Sequence, residues 1–499
     1  MALRNQKAGF QNLNGYGLNA FSDAELDAIH SATLQILWNT GIKVETPEAL
    51  DIFEAAGATV RREGKYGIVK IPNYMVEDCI NSTPKTGMFY GRRKEDDYFT
   101  DSNRVAFTAG FGEHVKIVDP ETREVRPTVK QDLANITRIQ DALDVTPVIE
   151  RAACSGDQLP ASQPVHNYAA MVQNTSKHCF LGFGGGKNAE KIIEIAKIAV
   201  GGEENFKDRP TVTGFVCPTS PLSLVNECCE GIIACARGGI GISIIPMSLS
   251  GASSPATLAG VVVQHNCEVL SAVILSQLVR KGTPCVYCGC STIMDLRLAC
   301  SPVGVPEMAQ LSVATAKMAQ YYRIPSWVGG CASDSKRPDA QQGYDFTLTA
   351  MPAALAGANV IYGLGAIDSL ITFDYAAMLL GAEQAQRIQQ VVSGISINDE
   401  TMALDLIDQV GPGGEYMTQK HTFNHMRDMS SGKLFNRLNR DAWEKKMAGN
   451  PIEEQAYAQA KQILDSHEPM PLPEGAEEKI NAVIEAYEEE LRGKAKAVA

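Results

Sequence analysis

The run Thr211-Val212-Thr213-Gly214-Phe215-Val216-Cys217 is a short block of β-branched, aromatic and apolar residues, the composition of a buried strand. A small loop follows, Pro218-Thr219-Ser220, then a helical pattern over 221–237, then a second strand-like block, Ile242-Ser243-Ile244-Ile245-Pro246-Met247. The same beat extends in both directions. Strands are predicted at 105–109, 148–153, 178–183, 211–217, 242–247, 284–289, 325–330 and 359–363. Helices are predicted at 162–175, 188–200, 221–237, 254–281, 304–322, 339–356 and 373–393. In 254–281, Leu258, Val261, Val262, His265, Val269, Leu270, Val273 and Ile274 form one broad apolar face.

Alternation of strand and helix implies parallel strands joined by right-handed crossovers. Eight such units predict an α/β fold, a (β/α)8 TIM barrel, with an open doubly wound sheet as the alternative. No Gly-x-Gly-x-x-Gly follows the first strand, which speaks against the open sheet. Residues 1–100 read as an N-terminal extension with helices at 22–38 and 46–56, the first opened by Ser22 with Glu25 as a capping box. Residues 101–394 form the barrel. Residues 395–499 form a C-terminal helical extension with helices at 451–466 and 474–493.

At 499 residues, with 44% apolar and 21% charged side chains, the chain has enough core to fold without disulfides or a structural metal. Its net charge of −13 and the lack of a basic stripe argue against nucleic acid and anionic membrane as partners. Thirteen cysteines, an odd number, many inside apolar runs, predict reduced buried thiols and a cytoplasmic protein. Met1-Ala2-Leu3-Arg4-Asn5-Gln6-Lys7 opens no apolar h-region, so no secretory signal is expected, and no run of about 18 uninterrupted apolar residues occurs in the sequence. A homo-oligomer is expected from the apolar helices outside the barrel.

In such a barrel the reacting groups sit on the loops after the strands. Cys285, Cys288 and Cys290 have partial zinc spacing, but they lie along a strand, with Cys288 and Cys290 on one face and Cys285 on the other. Structural thiols are the better reading, and no metal ligand is assigned. Phe183-Gly184-Gly185-Gly186-Lys187 lacks Walker spacing and reads as a tight strand-to-helix turn. His265 reads as a core histidine, while His114 lies near a strand end, where function is more plausible. Ser333-Asp334-Ser335-Lys336-Arg337-Pro338-Asp339 is a polar loop at the expected mouth. Tyr90, Phe111, Tyr344, Tyr362 and Phe373 are aromatics near loop ends.

Several stretches, in order along nearly the whole chain, carry a resemblance. They include Cys217-Pro218-Thr219-Ser220-Pro221-Leu222, Ser248-Leu249-Ser250-Gly251-Ala252-Ser253-Ser254-Pro255, His265-Asn266-Cys267-Glu268 and Ser301-Pro302-Val303-Gly304-Val305-Pro306-Glu307. Ser333-Asp334-Ser335-Lys336-Arg337-Pro338-Asp339, Leu355-Ala356-Gly357-Ala358-Asn359-Val360-Ile361-Tyr362-Gly363 and Asn398-Asp399-Glu400-Thr401 belong to the same set. The chain resembles the trimethylamine:corrinoid methyltransferase (MttB) superfamily.

That resemblance implies a barrel that passes a methyl group from an amine to Co(I) of a corrinoid on a separate protein. It implies a corrinoid-protein partner and no tightly bound cofactor in this chain. It also exposes a departure. Where the trimethylamine enzymes place pyrrolysine, this chain has Ala332, in Gly330-Cys331-Ala332-Ser333-Asp334. Alanine supplies no electrophile, so the non-pyrrolysine, quaternary-amine (betaine) branch is the closer expectation. Tyr90, Phe111, Tyr344 and Tyr362 are expected to cage an ammonium by cation–π attraction, with Asp345 as countercharge. Arg297 is expected to pair with a substrate carboxylate, and Ala332 to leave the pocket its room. A tertiary-amine methyltransferase and a non-catalytic corrinoid-protein binder stay open beside this reading.

Overall fold

The computed structural model describes residues 18–101, 104–110 and 115–498, with side chains to 493. Eight parallel strands form one sheet: β1 Ala106–Ala109, β2 Val148–Glu150, β3 His178–Gly182, β4 Val212–Val216, β5 Gly241–Ile244, β6 Cys285–Gly289, β7 Ser326–Gly329 and β8 Val360–Leu364. Each pairs with the next from β2 to β8, and β8 pairs with β1. Almost every strand residue is buried, because a parallel sheet wrapped by helices has no wet face.

The helices that follow the strands are α1 Lys130–Ala142, α2 Gln163–Val172, α3 Gly186–Ala199, α4 Asn226–Gly238, α5 Leu258–Val279, α6 Pro306–Tyr322, α7 Ala340–Leu355 and α8 Tyr375–Val392. The alternation read from the sequence is the observed fold, and α1 is the helix that reading passed over. α5 is long and apolar enough to cross a membrane by length and composition, but 72% of that window is buried inside the protein. It is a core helix, covered by the helix Asp23–Asn39, whose N-cap is the expected Ser22/Glu25 box. Asn266 on α5 donates to Thr33 (2.8 Å) and to the Tyr322 hydroxyl (2.7 Å), tying the extension to α6 as well.

The seam between β1 and β2 is closed by side chains. The Thr108 hydroxyl accepts from the Glu150 N–H (3.1 Å) and reaches the Val148 carbonyl (3.0 Å). Gln140 of α1 accepts from the Ala109 N–H (3.2 Å) and donates to the Glu150 carbonyl (3.2 Å). A hairpin, Gly87–Phe89 with Tyr98–Thr100, plugs the end where the strands begin; Phe89 and Tyr98 join the lumen cluster, and the Tyr98 hydroxyl donates to Asn359 O (3.0 Å).

The C-terminal helices Ile452–Ser466 and Ala476–Val498 pack on α8 and on α3. Glu488 accepts from Ser162 (3.0 Å) and meets His166 (2.9 Å) at α2. Tyr457 donates to the buried Asp374, the side-chain cap of α8, while the Arg123 guanidinium lies 3.5 Å over the Tyr457 ring.

Candidate active site

Alternation along parallel strands sends every second side chain into the lumen. The middle inward layer holds Glu150 of β2, Phe180 of β3, Cys288 of β6, Trp327 of β7 and Tyr362 of β8. The Phe180 and Trp327 rings stack with centroids 3.8 Å apart and planes 14° from parallel. The Trp327 indole N–H donates to Glu150 (3.0 Å), and the Tyr362 hydroxyl donates to Gly289 O (2.9 Å). Glu150 is 1% exposed. Burial pushes its carboxyl well above the usual range, and the Trp327 hydrogen bond and the Arg151 charge draw it partway back.

Towards the strand C-termini the inward positions turn small. A Cβ on Gly182 would press on the Phe215 ring (2.7 Å), and one on Gly329 would approach the Tyr362 hydroxyl (3.1 Å). Ala332, fully buried, belongs to the same lumen cluster as Trp327 and Tyr362. A cavity of about 540 Å³ opens at the ends of β3, β4 and β5; Arg151, Gly182, Phe215, Cys217, Ile245 and Met247 are among the residues around it, whereas Glu150, Trp327, Ala332 and Tyr362 are not. The Arg151 guanidinium lies 5.9 Å from the Phe215 ring centroid.

Carboxylates hold the rim. Glu268 of α5 accepts from Ser220 (2.8 Å), Ser248 (3.2 Å), the Leu222 N–H (2.9 Å) and Gln264 (3.0 Å), joining the loops after β4 and β5. Burial raises its carboxyl, and these donors oppose that. Asp334 accepts from the N–H groups of Val303 (2.9 Å) and Gly304 (2.9 Å) and from Ser369 (2.7 Å). The polar 333–339 loop therefore holds neighbouring loops together.

Most of the residues expected to form the cage lie elsewhere. Tyr90 sits at the opposite end of the barrel, in a hollow with His178, Val212, Gly241 and Cys285 at the strand starts, under the Arg209 guanidinium (4.9 Å). It precedes β1 and belongs to the hairpin plug. Tyr344 is 76% exposed on the outer face of α7, beside a larger hollow of about 890 Å³ between α7, α8 and the helix Ile452–Ser466. That hollow is outside the barrel, so the smaller one at the strand ends is the better placed for chemistry. Asp345 accepts from Ser333 (2.8 Å) and the Asp334 N–H (3.2 Å) and fastens that loop. Arg297 is on an exposed tip between Leu296 and Leu298, held by Asp295 accepting its N–H (2.8 Å), and does not line the cavity. Phe111 and His114 lie outside the described residues. Tyr362 and Ala332 do meet in the lumen.

Sequence reasoning missed Glu150, Arg151, Phe180, Phe215 and Trp327. Their signal was a carboxylate and a guanidinium inside a predicted strand, 148–153, where charge is costly without a purpose.

His265 is buried beside Ser291 (3.3 Å), and burial pushes its imidazole down to about 4. Cys288 and Cys290 face the lumen and Cys285 the helices. Burial raises the Cys285 thiol to about 11 and the Cys290 thiol to about 12. Among the described residues no three His, Cys, Asp or Glu side chains come together as a metal-binding set. Gly184 (φ +61) and Gly185 (φ +108) make the tight turn into α3.

Trimethylamine methyltransferase MttB of Desulfitobacterium hafniense (strain DSM 10664 / DCB-2) is 46% identical over 484 residues, 97% of each chain. Glycine betaine methyltransferase of Desulfitobacterium hafniense (strain Y51) is 30% identical over 470 residues, 93% of this chain and 96% of that one. Among solved structures, the monomethylamine methyltransferase MtmB of Methanosarcina barkeri aligns with a TM-score of 0.50 at 11% identity, covering 94% of each chain, a likeness of fold alone. A family model described as trimethylamine methyltransferase (MTTB) matches residues 5–492, the whole barrel with nearly all of both extensions, and the chain belongs to that methyltransferase family.

Proposed function

We propose that this chain moves a methyl group from a quaternary amine of the betaine kind to Co(I) of a corrinoid on a separate protein. Glycine betaine, proline betaine, carnitine and γ-butyrobetaine are the candidate substrates. The observation that carries the reading is Ala332: the position expected to hold a large electrophile is a methyl group, buried in the wall of an aromatic, carboxylate-bearing lumen. A neutral tertiary amine would have to expel an amide anion unless it were first protonated or alkylated. A quaternary ammonium already carries its positive charge. When its C–N bond breaks, the electron pair stays on nitrogen, a neutral tertiary amine leaves, and the methyl passes to Co(I), giving methyl-Co(III) on the partner.

The chain's own residues bind, orient and exclude water. Phe215, with Phe180 and Trp327 beneath it, supplies ring faces for the cation, and Glu150 supplies the countercharge. Arg151, in place of the expected Arg297, pairs with a substrate carboxylate. Among the described residues the thirteen cysteines form no disulfide, which favours a reducing cytoplasm.

The 46% identity to a relative named trimethylamine methyltransferase favours a second reading, tertiary-amine demethylation with another activating acid. A panel of betaines and trimethylamine, offered with reduced corrinoid protein, separates the two. Methyl-Co(III) absorbance is expected with at least one betaine and not with trimethylamine. Trimethylamine turning over as fast as every betaine would reverse the assignment, and no methylation from any amine would leave only a binding protein.

Glu150 adds a pH signature. In the free protein burial holds its carboxyl above the ordinary range, so the neutral form persists. A bound cation favours the anion, so binding must release a proton. Affinity is then expected to strengthen as pH rises towards the free-protein value and to level off above it. Arg151, Cys288, Cys290 and Tyr362 also lie in its field, and burial raises the last three further above the range in which they ordinarily ionise. Calorimetry in buffers of different ionisation enthalpy counts the proton. Glu150→Gln is expected to abolish the release and weaken binding about ten- to a hundredfold. Release that persists in Glu150→Gln would remove this carboxyl from the site.

A further inference from the structure

Four non-glycine residues in the left-handed backbone region meet at one place. Cys331 (φ +61) stands beside Ala332, and Asp368 (φ +53), Ser369 (φ +54) and Leu370 (φ +71) follow one another in the loop after β8. In that region a side chain is crowded by its own backbone, and residues held there in succession are uncommon. Neighbouring loops hold the turn. The Asp368 N–H donates to Ser335 O (2.7 Å) and the Ser369 N–H to Ser333 O (3.1 Å). The Ser369 hydroxyl donates to Asp334 (2.7 Å), the same carboxylate that accepts the Val303 and Gly304 N–H groups. The loops after β6, β7 and β8 are thereby pinned to one another beside Ala332.

Glycine would make this turn without strain, so the side chains that replace it must do something. Two of the three have polar duties. Asp368 accepts from the Thr372 hydroxyl (3.1 Å) and faces the Lys336 ammonium (3.4 Å), and Ser369 holds Asp334. Leu370 has no polar group. It is half-buried and packs on the lumen cluster that contains Phe180, Trp327, Ala332 and Tyr362. Met247, from the loop after β5, and Val305, from the loop after β6, pack on the same cluster. Met247 also lines the cavity of about 540 Å³, so this apolar cover begins where the cavity stops.

We infer that Leu370 is a specificity-determining residue, held by the left-handed turn as the wall that limits the ammonium head on the β7–β8 side of the lumen. The inference rests on the quaternary-amine reading above. Ala332 gives that side no bulk of its own, and Leu370 supplies it from the next loop. A trimethylammonium group sheds its water only where apolar or aromatic surface meets it closely, and one extra methylene in such a fit changes discrimination by about ten- to two-hundredfold. A leucine on a yielding loop would move aside for a larger head. A leucine on a turn fastened at Ser333, Asp334 and Ser335 does not, and that rigidity is what the strain secures.

The probes are the betaine that binds most tightly and its homologue with one N-methyl replaced by N-ethyl. Calorimetric binding to the full chain and kcat/KM with reduced corrinoid protein are measured for both. The native chain is expected to prefer the trimethyl head at least about tenfold. Leu370→Ala should shrink that preference at least about fivefold, and Leu370→Met should keep it within about threefold of native, because the volume is kept. A side chain that only sealed the fold would weaken both probes alike and leave their ratio unmoved. Leu370→Gly reads the turn itself: it should melt above Leu370→Ala, the reverse of the order in ordinary backbone. No preference in the native chain, or the same preference in Leu370→Ala, overturns the inference, and so does Leu370→Gly melting below Leu370→Ala. Binding without methyl transfer from any betaine would sink the quaternary-amine reading alone, since the binding ratio of the two heads still decides Leu370. Binding of neither head would remove both.

Discussion

Gly363→Ala is expected to be among the most damaging single-methyl changes this chain can receive. Gly363 is the irregular residue of β8, where the register with β1 shifts between Tyr362 and Leu364, and its φ is +128. An added Cβ would fall inside van der Waals contact of Gly330 O, with Cys331 C at 3.0 Å and Ala332 N at 3.1 Å. All three are backbone, so no side-chain rotation relieves the clash. The strands cannot easily part either, because Gly330 N–H donates to Tyr362 O (3.1 Å) one residue away. Backbone strain and overlap together should cost at least about 3–4 kcal/mol. Urea denaturation reads that loss, and methyl transfer should fall further than stability, because the displaced segment carries Ala332. Gly343→Ala is the control. This glycine is exposed at the fourth residue of α7, with open space where the methyl would go, so the substitution should stabilise by about 0.5–1 kcal/mol. Equal effects at the two positions would show that the tight approach of β7 and β8 is not what Gly363 serves.

Lys177→Met should cost a similar amount for an electrostatic reason. Lys177 is 1% exposed, yet it carries an ammonium in the barrel wall just before β3. That ammonium donates to three carbonyls, Gln140 O (2.7 Å), Leu143 O (2.9 Å) and Thr146 O (2.7 Å). Two of them lie at or just past the C-terminal end of α1, where the helix dipole is negative and the carbonyls no longer have i+4 amides as partners. Methionine fills the space but takes one donor from each carbonyl; Gln140 O and Leu143 O keep the Thr146 hydroxyl (2.7 and 3.1 Å), so Thr146 O is the most exposed to the loss. A loss of about 3–5 kcal/mol is expected, with Lys177→Gln intermediate because its amide still donates. A melting temperature for Lys177→Met within a degree of the parent would mean that water takes over the site.

The eight strands were legible because parallel strands buried on both faces read as plain apolar blocks. α1 was not, and its job explains why. Asp132, Gln140 and Asp141 are buried polar residues that cap the helix, close the β1–β2 seam and anchor another segment, so only Leu133, Ile136 and Ile139 are left to mark an apolar stripe. The candidate site was read less well. The sequence places a residue in a loop but does not say at which end of the barrel that loop emerges, which is how Tyr90 was misplaced. Nor does it say which way a helix faces, which is how Tyr344 was. Asp345 and the 333–339 loop looked chemically active because they are polar, and their polarity turned out to be used on one another. Ala332 was singled out through family likeness, and Tyr362 through its place near a predicted loop end. Glu150 needed the closed cylinder, since only closure turns one edge of a strand into an interior.

Trp327 has a practical consequence. Of the three tryptophans, Trp38 and Trp443 are 46% and 39% exposed, while Trp327 is 1% exposed, stacked on Phe180 and hydrogen-bonded to Glu150. A water-borne quencher such as iodide reaches the outer two indoles and spares the third. The remaining emission then comes from the floor of the proposed methyl-donor pocket, an optical probe already in place that reports the charge state of its neighbouring carboxyl without any label.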